Sequence, residues 1–123
     1  MPYTVSIDDP HRLVEIVYSG QITIDTRMDA MNEAVALLEA RRYSRVLVDL
    51  HGSVATLEPL DAVNAFATRI AYWPRLRDSR LAFVTLPSQY SNLLVENMAA
   101  ARHLSLQHFH RREDALQWLL LDR

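Results

Sequence analysis

The chain opens on a period of two. Tyr3 to Asp8 alternates apolar and polar residues, as a half-buried strand does. Asp8-Asp9-Pro10-His11 is polar, and its proline fixes φ, so a turn is expected there. Arg12 to Tyr18 alternates again, with Leu13 opposite Val14, and Ile16 and Tyr18 on one side. Two such runs around a short turn predict an antiparallel hairpin that ends at Ser19-Gly20.

The period then lengthens. After a short extended piece, Ile22-Thr23-Ile24, Asp25-Thr26 supplies an N-cap. Met28, Met31, Val35 and Leu38 follow at spacings of three and four, with Ala34 in the stripe and Arg41-Arg42 at the end, which predicts a helix. Arg45 to Leu50 is apolar on both faces, the pattern of a central parallel strand. A loop is expected over His51 to Ala55. Thr56 is placed to cap the next helix, Pro59 fits its first turn, and Leu60, Val63, Phe66, Ala67 and Ile70 form its buried stripe. Trp73-Pro74 ends that helix. Arg80 to Leu86 reads as a second buried strand, Ser88 to about His103 as a third helix, Leu104 to Phe109 as a short strand, and Arg111 to Leu121 as a closing helix with Ala115, Leu116 and Leu119 inward.

The expected order is β-β-α-β-α-β-α-β-α. Strands alternating with helices imply parallel crossovers, so the fold class is α/β with a mixed, mostly parallel sheet and about four helices. The 123 residues argue for one domain, 1–123. Half the residues are hydrophobic and 23% are charged, enough for a core. There is no cysteine, which excludes disulfides, thiol catalysis and cysteine metal sites. All 13 basic residues are Arg, which excludes lysine-based catalysis. A net charge of −2 gives no electrostatic reason to bind nucleic acid. The start lacks an apolar stretch of signal-peptide length, and no segment approaches the ~20 apolar residues of a membrane span. A soluble cytoplasmic protein is the expectation.

Three stretches together carry a family resemblance: Val14-Glu15-Ile16-Val17-Tyr18-Ser19-Gly20-Gln21-Ile22-Thr23, Val46-Leu47-Val48-Asp49-Leu50, and Phe109 to Leu119 with its Asp114-Ala115-Leu116-Gln117-Trp118-Leu119 ending. In this order they resemble the STAS domain, the anti-anti-sigma-factor-like fold, and most nearly the small bacterial proteins similar to sporulation anti-anti-sigma factors. The resemblance covers essentially the whole chain. It implies a regulatory domain that binds a protein partner. Members of that family carry D-S-(S/T)-G at the start of the helix after the Asp-ending strand, with a serine that the partner kinase phosphorylates. Here that position falls near Leu57-Glu58-Pro59-Leu60, which has neither Ser nor Gly. The phosphoswitch is therefore not expected. Glu58 stands close to it, either as a fixed negative charge that imitates the phosphorylated state or as an acidic residue in a helix first turn.

No nucleophile elbow, dinucleotide-binding glycine loop or H-E-x-x-H motif is present, and two glycines cannot build a phosphate loop. Asp49 and His51 lie at the carboxyl end of a central strand, where α/β sheets bind ligands. Asp49 either orients His51 as an acid–base pair or caps backbone amides of the following loop. His103, His108 and His110 lie close in sequence but have no partnering carboxylate at fixed spacing, so no metal is assigned. Tyr72-Trp73-Pro74-Arg75 and Arg77 either contact a partner or pack against a helix end.

The leading reading is a non-enzymatic interaction domain, without catalytic residues or cofactor, whose binding surface includes Asp49, His51, Ser53, Thr56 and Glu58. A module that binds a small molecule or lipid in an apolar groove between the helix after the Asp strand and the helix starting at Ser88 is the alternative. A small enzyme using Asp49 and His51 is the second. The free edge of the hairpin, and Trp118, Leu120 and Leu121 beside the core stripe of the closing helix, raise the expectation of a homodimer.

Overall fold

The computed structural model describes residues 2–55, 58–86 and 100–121. β1 (Tyr3–Asp8) and β2 (Leu13–Ile22) form the hairpin, α1 spans Ile24–Arg41, and β3 spans Arg45–Ala55. Then come α2 (Leu60–Ala71), a single turn α3 (Pro74–Arg77), β4 (Arg80–Val84), β5 (Leu106–Phe109) and α4 (Arg112–Leu119). The expected helix from Ser88 falls largely on 87–99, outside the described residues.

The five strands lie in sequence order, β1-β2-β3-β4-β5. β1 is antiparallel to β2, and the other three pairings are parallel. The first face of the sheet carries Val14, Ile16 and Tyr18 from β2, Val46, Val48 and Leu50 from β3, and Leu81 and Phe83 from β4, packed under α1, α2 and α3. The second face carries Leu13, Leu47, Ala82 and Val84, covered by Ala115 and Leu119 of α4. Both central strands are thus buried on both sides, as their continuous apolar runs predict.

Local chemistry moves several boundaries. β2 does not stop at Ser19-Gly20 but continues to Ile22, because Gly20 at φ +70° lets the strand carry on where a side chain would be strained. The N-cap of α1 is Thr23, not Asp25-Thr26: the Thr23 hydroxyl accepts the Thr26 N–H at 3.1 Å. β3 runs through His51 to Ala55, since parallel pairing with Ser19 to Ile22 satisfies a backbone expected to be a loop. Leu60 is not in the buried stripe of α2; it is 63% exposed at the helix's first position. After Trp73 the chain makes a helical turn that buries Leu76. β4 ends at Val84, leaving Leu86 exposed. β5 begins at Leu106, and α4 ends at Leu119 with Leu116 only half-buried.

The hairpin turn is fastened at both aspartates. Asp8 accepts the backbone N–H of His11 at 3.2 Å and meets its Nδ1 at 2.7 Å. Asp9 accepts from the Arg41 guanidinium at 3.0 Å and from the Tyr43 hydroxyl at 2.5 Å, tying the turn to the far end of α1.

Two measurements test this framework. Leu47 and Phe83 are fully buried on opposite faces, so Leu47→Ala and Phe83→Ala should each cost about 2–5 kcal/mol of unfolding free energy by denaturant titration. The His11 hydrogen bond holds the Asp8 carboxyl below its ordinary value near 3.8. A depressed carboxylate stabilises the fold above its unfolded pKa, and that contribution is lost as pH falls through the lower folded one. Asp8→Asn should therefore flatten the loss of stability below about pH 4, measured by thermal unfolding across acid pH.

Candidate functional site

The site is built at the carboxyl end of β3, where a bulge breaks the register. Val17 pairs with Asp49, but Ser19 pairs with Gly52, so β3 has one more residue than β2 over this stretch. Such an extra residue bends the strand and re-aims its side chains. Before it, Leu47 and Asp49 share the second face; after it, Ser53 pairs with Gly20 and is buried, while Val54 is 63% exposed.

Asp49 and His51 lie together, but not as an acid–base pair. Asp49 Oδ1 accepts the backbone N–H of His51 at 3.0 Å. The His51 ring Nδ1 is 3.9 Å from that oxygen, beyond hydrogen-bonding distance. The carboxylate is engaged with the backbone of the bulge, one of the two roles expected of it. The Ser53 hydroxyl donates to the Leu50 carbonyl at 2.8 Å, which also secures the bulge. Thr56 lies outside the described residues.

Glu58 does something the sequence reading did not include. It precedes α2 rather than occupying its first turn, and its carboxylate reaches across to α1, accepting the Ile24 backbone N–H at 3.0 Å. Ile24 is the first residue of α1, directly after the Thr23 cap. Thr23 and Glu58 together satisfy two backbone donors that a helix start leaves without partners, and the carboxylate also meets the positive end of the helix dipole. Glu58, just before α2, and the start of α1 therefore form one surface.

Beside that surface, α1 and α2 leave an open groove of about 450 Å³ lined by Ile24, Met28, Asn32, Ala65, Phe66 and Arg69 among others. The groove expected between α2 and the helix from Ser88 rests on residues outside the description. Packed on Phe66 of the α1–α2 groove lies Arg27, 4% exposed, with its guanidinium 5.2 Å from the Phe66 ring centre and 6.0 Å from that of Phe83. Arg27 was missed by the hydrophobic pattern, yet it stands four residues before Met31, so its spacing already places it on the buried stripe.

The remaining candidates separate. His103 sits at positive φ before β5, the His108 ring packs 6.2 Å from Phe83, and His110 Nδ1 lies 3.0 Å from the Thr85 carbonyl. No group of three or more His, Asp or Glu gathers as a metal site among the described residues. Arg69 stacks on Trp73 and Arg77 on Tyr72, and Arg77 donates to the Ala71 carbonyl at 2.9 Å, so the aromatic–basic segment packs against the end of α2. Trp118 packs on Phe109 and lies under Arg80, on its own domain's rim, while Leu120 and Leu121 are exposed. No described helix is long and apolar enough to cross a membrane.

No family model matches this chain, and no curated protein does. Solved structures do. An anti-sigma factor antagonist from Mycobacterium paratuberculosis superposes with a TM-score of 0.57 at 14% identity, covering 95% of this chain and 92% of that one. An uncharacterised DUF3478-family protein with a SpoIIAA-like fold from Shewanella loihica PV-4 superposes with a TM-score of 0.61 at 13% identity, covering 95% of this chain and 91% of that one. Near-complete coverage of both chains at such low identity is agreement of architecture: this chain has the SpoIIAA-like fold.

Proposed function

We propose that this is a non-enzymatic regulatory domain that binds a protein partner at the joined starts of α1 and α2, and that it does so without a phosphoserine switch. The Glu58–Ile24 hydrogen bond carries this reading. At the position where the family resemblance puts the phosphorylatable motif, this chain has a permanent carboxylate already committed to a helix N-terminus. A phosphate added at such a place would act by charge and by hydrogen bonds to backbone donors. Glu58 supplies both constitutively, so the surface is held in one state.

The surroundings favour recognition over chemistry. Asp49 serves the backbone and stands 3.9 Å from the His51 ring Nδ1, and the groove between α1 and α2 is open and largely apolar. Exposed Val54 and Leu60 extend the apolar surface on either side of Glu58. The solved anti-sigma factor antagonist with this fold supports a regulatory protein as the partner class.

Glu58→Ala leaves the Ile24 N–H unpaired and should cost about 1–2 kcal/mol of stability. Partner capture from the native cell, quantified by mass spectrometry, should retain a protein with the wild type and lose it with Ala65→Glu, which puts a charge into the groove. Incubation with an anti-sigma kinase and ATP should transfer no phosphate to residues 56–61. Stoichiometric phosphothreonine at Thr56, or capture indifferent to the groove charge, would remove the proposal.

A further inference from the structure

β1 ends the sheet, and one of its edges carries no described strand. Just before β1, the Pro2 carbonyl accepts the Ser19 N–H at 2.8 Å. Bonded residues alternate along an antiparallel pair, so Thr4, Ser6 and Asp8 exchange hydrogen bonds with Val17, Glu15 and Leu13. The N–H and C=O groups of Tyr3, Val5 and Ile7 therefore point the other way. No strand of the described chain lies there, because β1 ends the sheet. Natural edges are usually blunted by proline, lysine, a bulge or brevity. β1 has six residues, no proline, no lysine and a single charge at its last position. The opposite edge, β5, has four residues.

We propose that a second copy of this chain docks antiparallel along β1, two-fold about Val5, joining two sheets into one. This register sets Val5 against Val5, Tyr3 against the second copy's Ile7, and Thr4 against the second copy's Ser6. Every outward donor then meets an outward acceptor, giving about six interchain hydrogen bonds. The same register matches the faces. Tyr3, Val5 and Ile7 are half-buried against the core and gain cover from their counterparts, while exposed Thr4 and Ser6 meet on the polar side. It matches charge as well. Glu33 of α1 holds the Tyr3 hydroxyl at the start of β1, and Arg41 reaches Asp9 beyond its end. A two-fold about Val5 turns the acidic part of one α1 toward the basic end of the other. An unrelated peptide strand would satisfy the hydrogen bonds but not this charge relation, so the occupant is a second copy, in the closed two-fold arrangement commonest among homo-oligomers.

Sedimentation equilibrium should show a concentration-dependent shift from the 14.2 kDa protomer to twice that mass. Thr4→Lys with Ser6→Lys puts like charges opposite each other across the seam and should weaken association about tenfold or more. Thr4→Lys with Ser6→Glu places opposite charges in register and should restore it. Leu121→Asp, at an exposed position just past the end of α4, should leave association unchanged. In the wild type, amide exchange at Tyr3, Val5 and Ile7 should slow as protein concentration rises, a readout that needs no variant. A protomer mass at every concentration, persistence of the dimer in the double-lysine variant, failure of the charge-swapped pair to restore it, or dispersal by Leu121→Asp would each overturn the proposal.

Discussion

The structure depends on one topological constraint. From β2 to β5 the strands are added in sequence order, each parallel to the last, so the sheet grows in a single direction. Right-handed crossovers that always step the same way keep their helices on the same face. α1, α2 and α3 accordingly share the first face, and the large core cluster forms beneath them. The second face receives no crossover helix among the described residues. It is closed only after the last strand, by eight residues of α4. The same constraint brings the starts of α1 and α2 side by side at the carboxyl end of the parallel strands, which is why a carboxylate before α2 can bond the first amide of α1.

Where burial was two-sided, the sequence was easy to read. Val46-Leu47-Val48 and Leu81-Ala82-Phe83-Val84 lack polar positions because both faces are covered, and no alternative placement satisfies such runs. The hairpin and the α1 stripe were legible for a different reason: their periodicity reports a single buried side. The boundaries were less so. Ser19-Gly20 and His51-Gly52-Ser53 both look like stops, yet each stretch is the pairing partner of the other. Local composition cannot show that two weak strand ends stabilise one another across the sheet. The bulge compounds this, because one additional residue in β3 reverses the alternation and moves Ser53 inward.

The site was half legible. The order of motifs singled out Asp49, His51 and Glu58 around the end of β3 and the start of α2. What they bond to does not follow from that order. Asp49 bonds a backbone amide two residues away, a local contact that the sequence reading included among its alternatives. Glu58 bonds an amide 34 residues away. That contact exists only because the crossovers place α1 and α2 on one face, so no local pattern announces it.

The arginine-only basic set acquires a structural meaning on the thinly covered face. α4 fully buries only Ala115 and Leu119, with Leu116 and Trp118 half-buried beside them, a small apolar surface for a short helix. Guanidinium groups hold its two ends. At its start, Arg112 meets the Glu15 carboxylate of β2 through two nitrogens, at 2.7 and 3.3 Å. A cation is unfavourable at a helix N-terminus, and the Glu15 carboxylate offsets it while keeping the guanidinium charged. At its end, Arg80 of β4 donates to the Trp118 and Leu121 carbonyls at 2.8 and 3.0 Å and lies 5.5 Å from the Trp118 ring centre. There the cation suits the helix dipole and adds a side-chain donor at the helix end, where the Trp118 carbonyl also accepts the Leu121 N–H at 3.3 Å. A planar, multiply donating group can make a fork to a carboxylate, or bond carbonyls while stacking on an indole; a lysine ammonium, a compact point charge, does neither as well. Two arginines thus secure at both ends the helix that closes the face on which no described crossover helix lies.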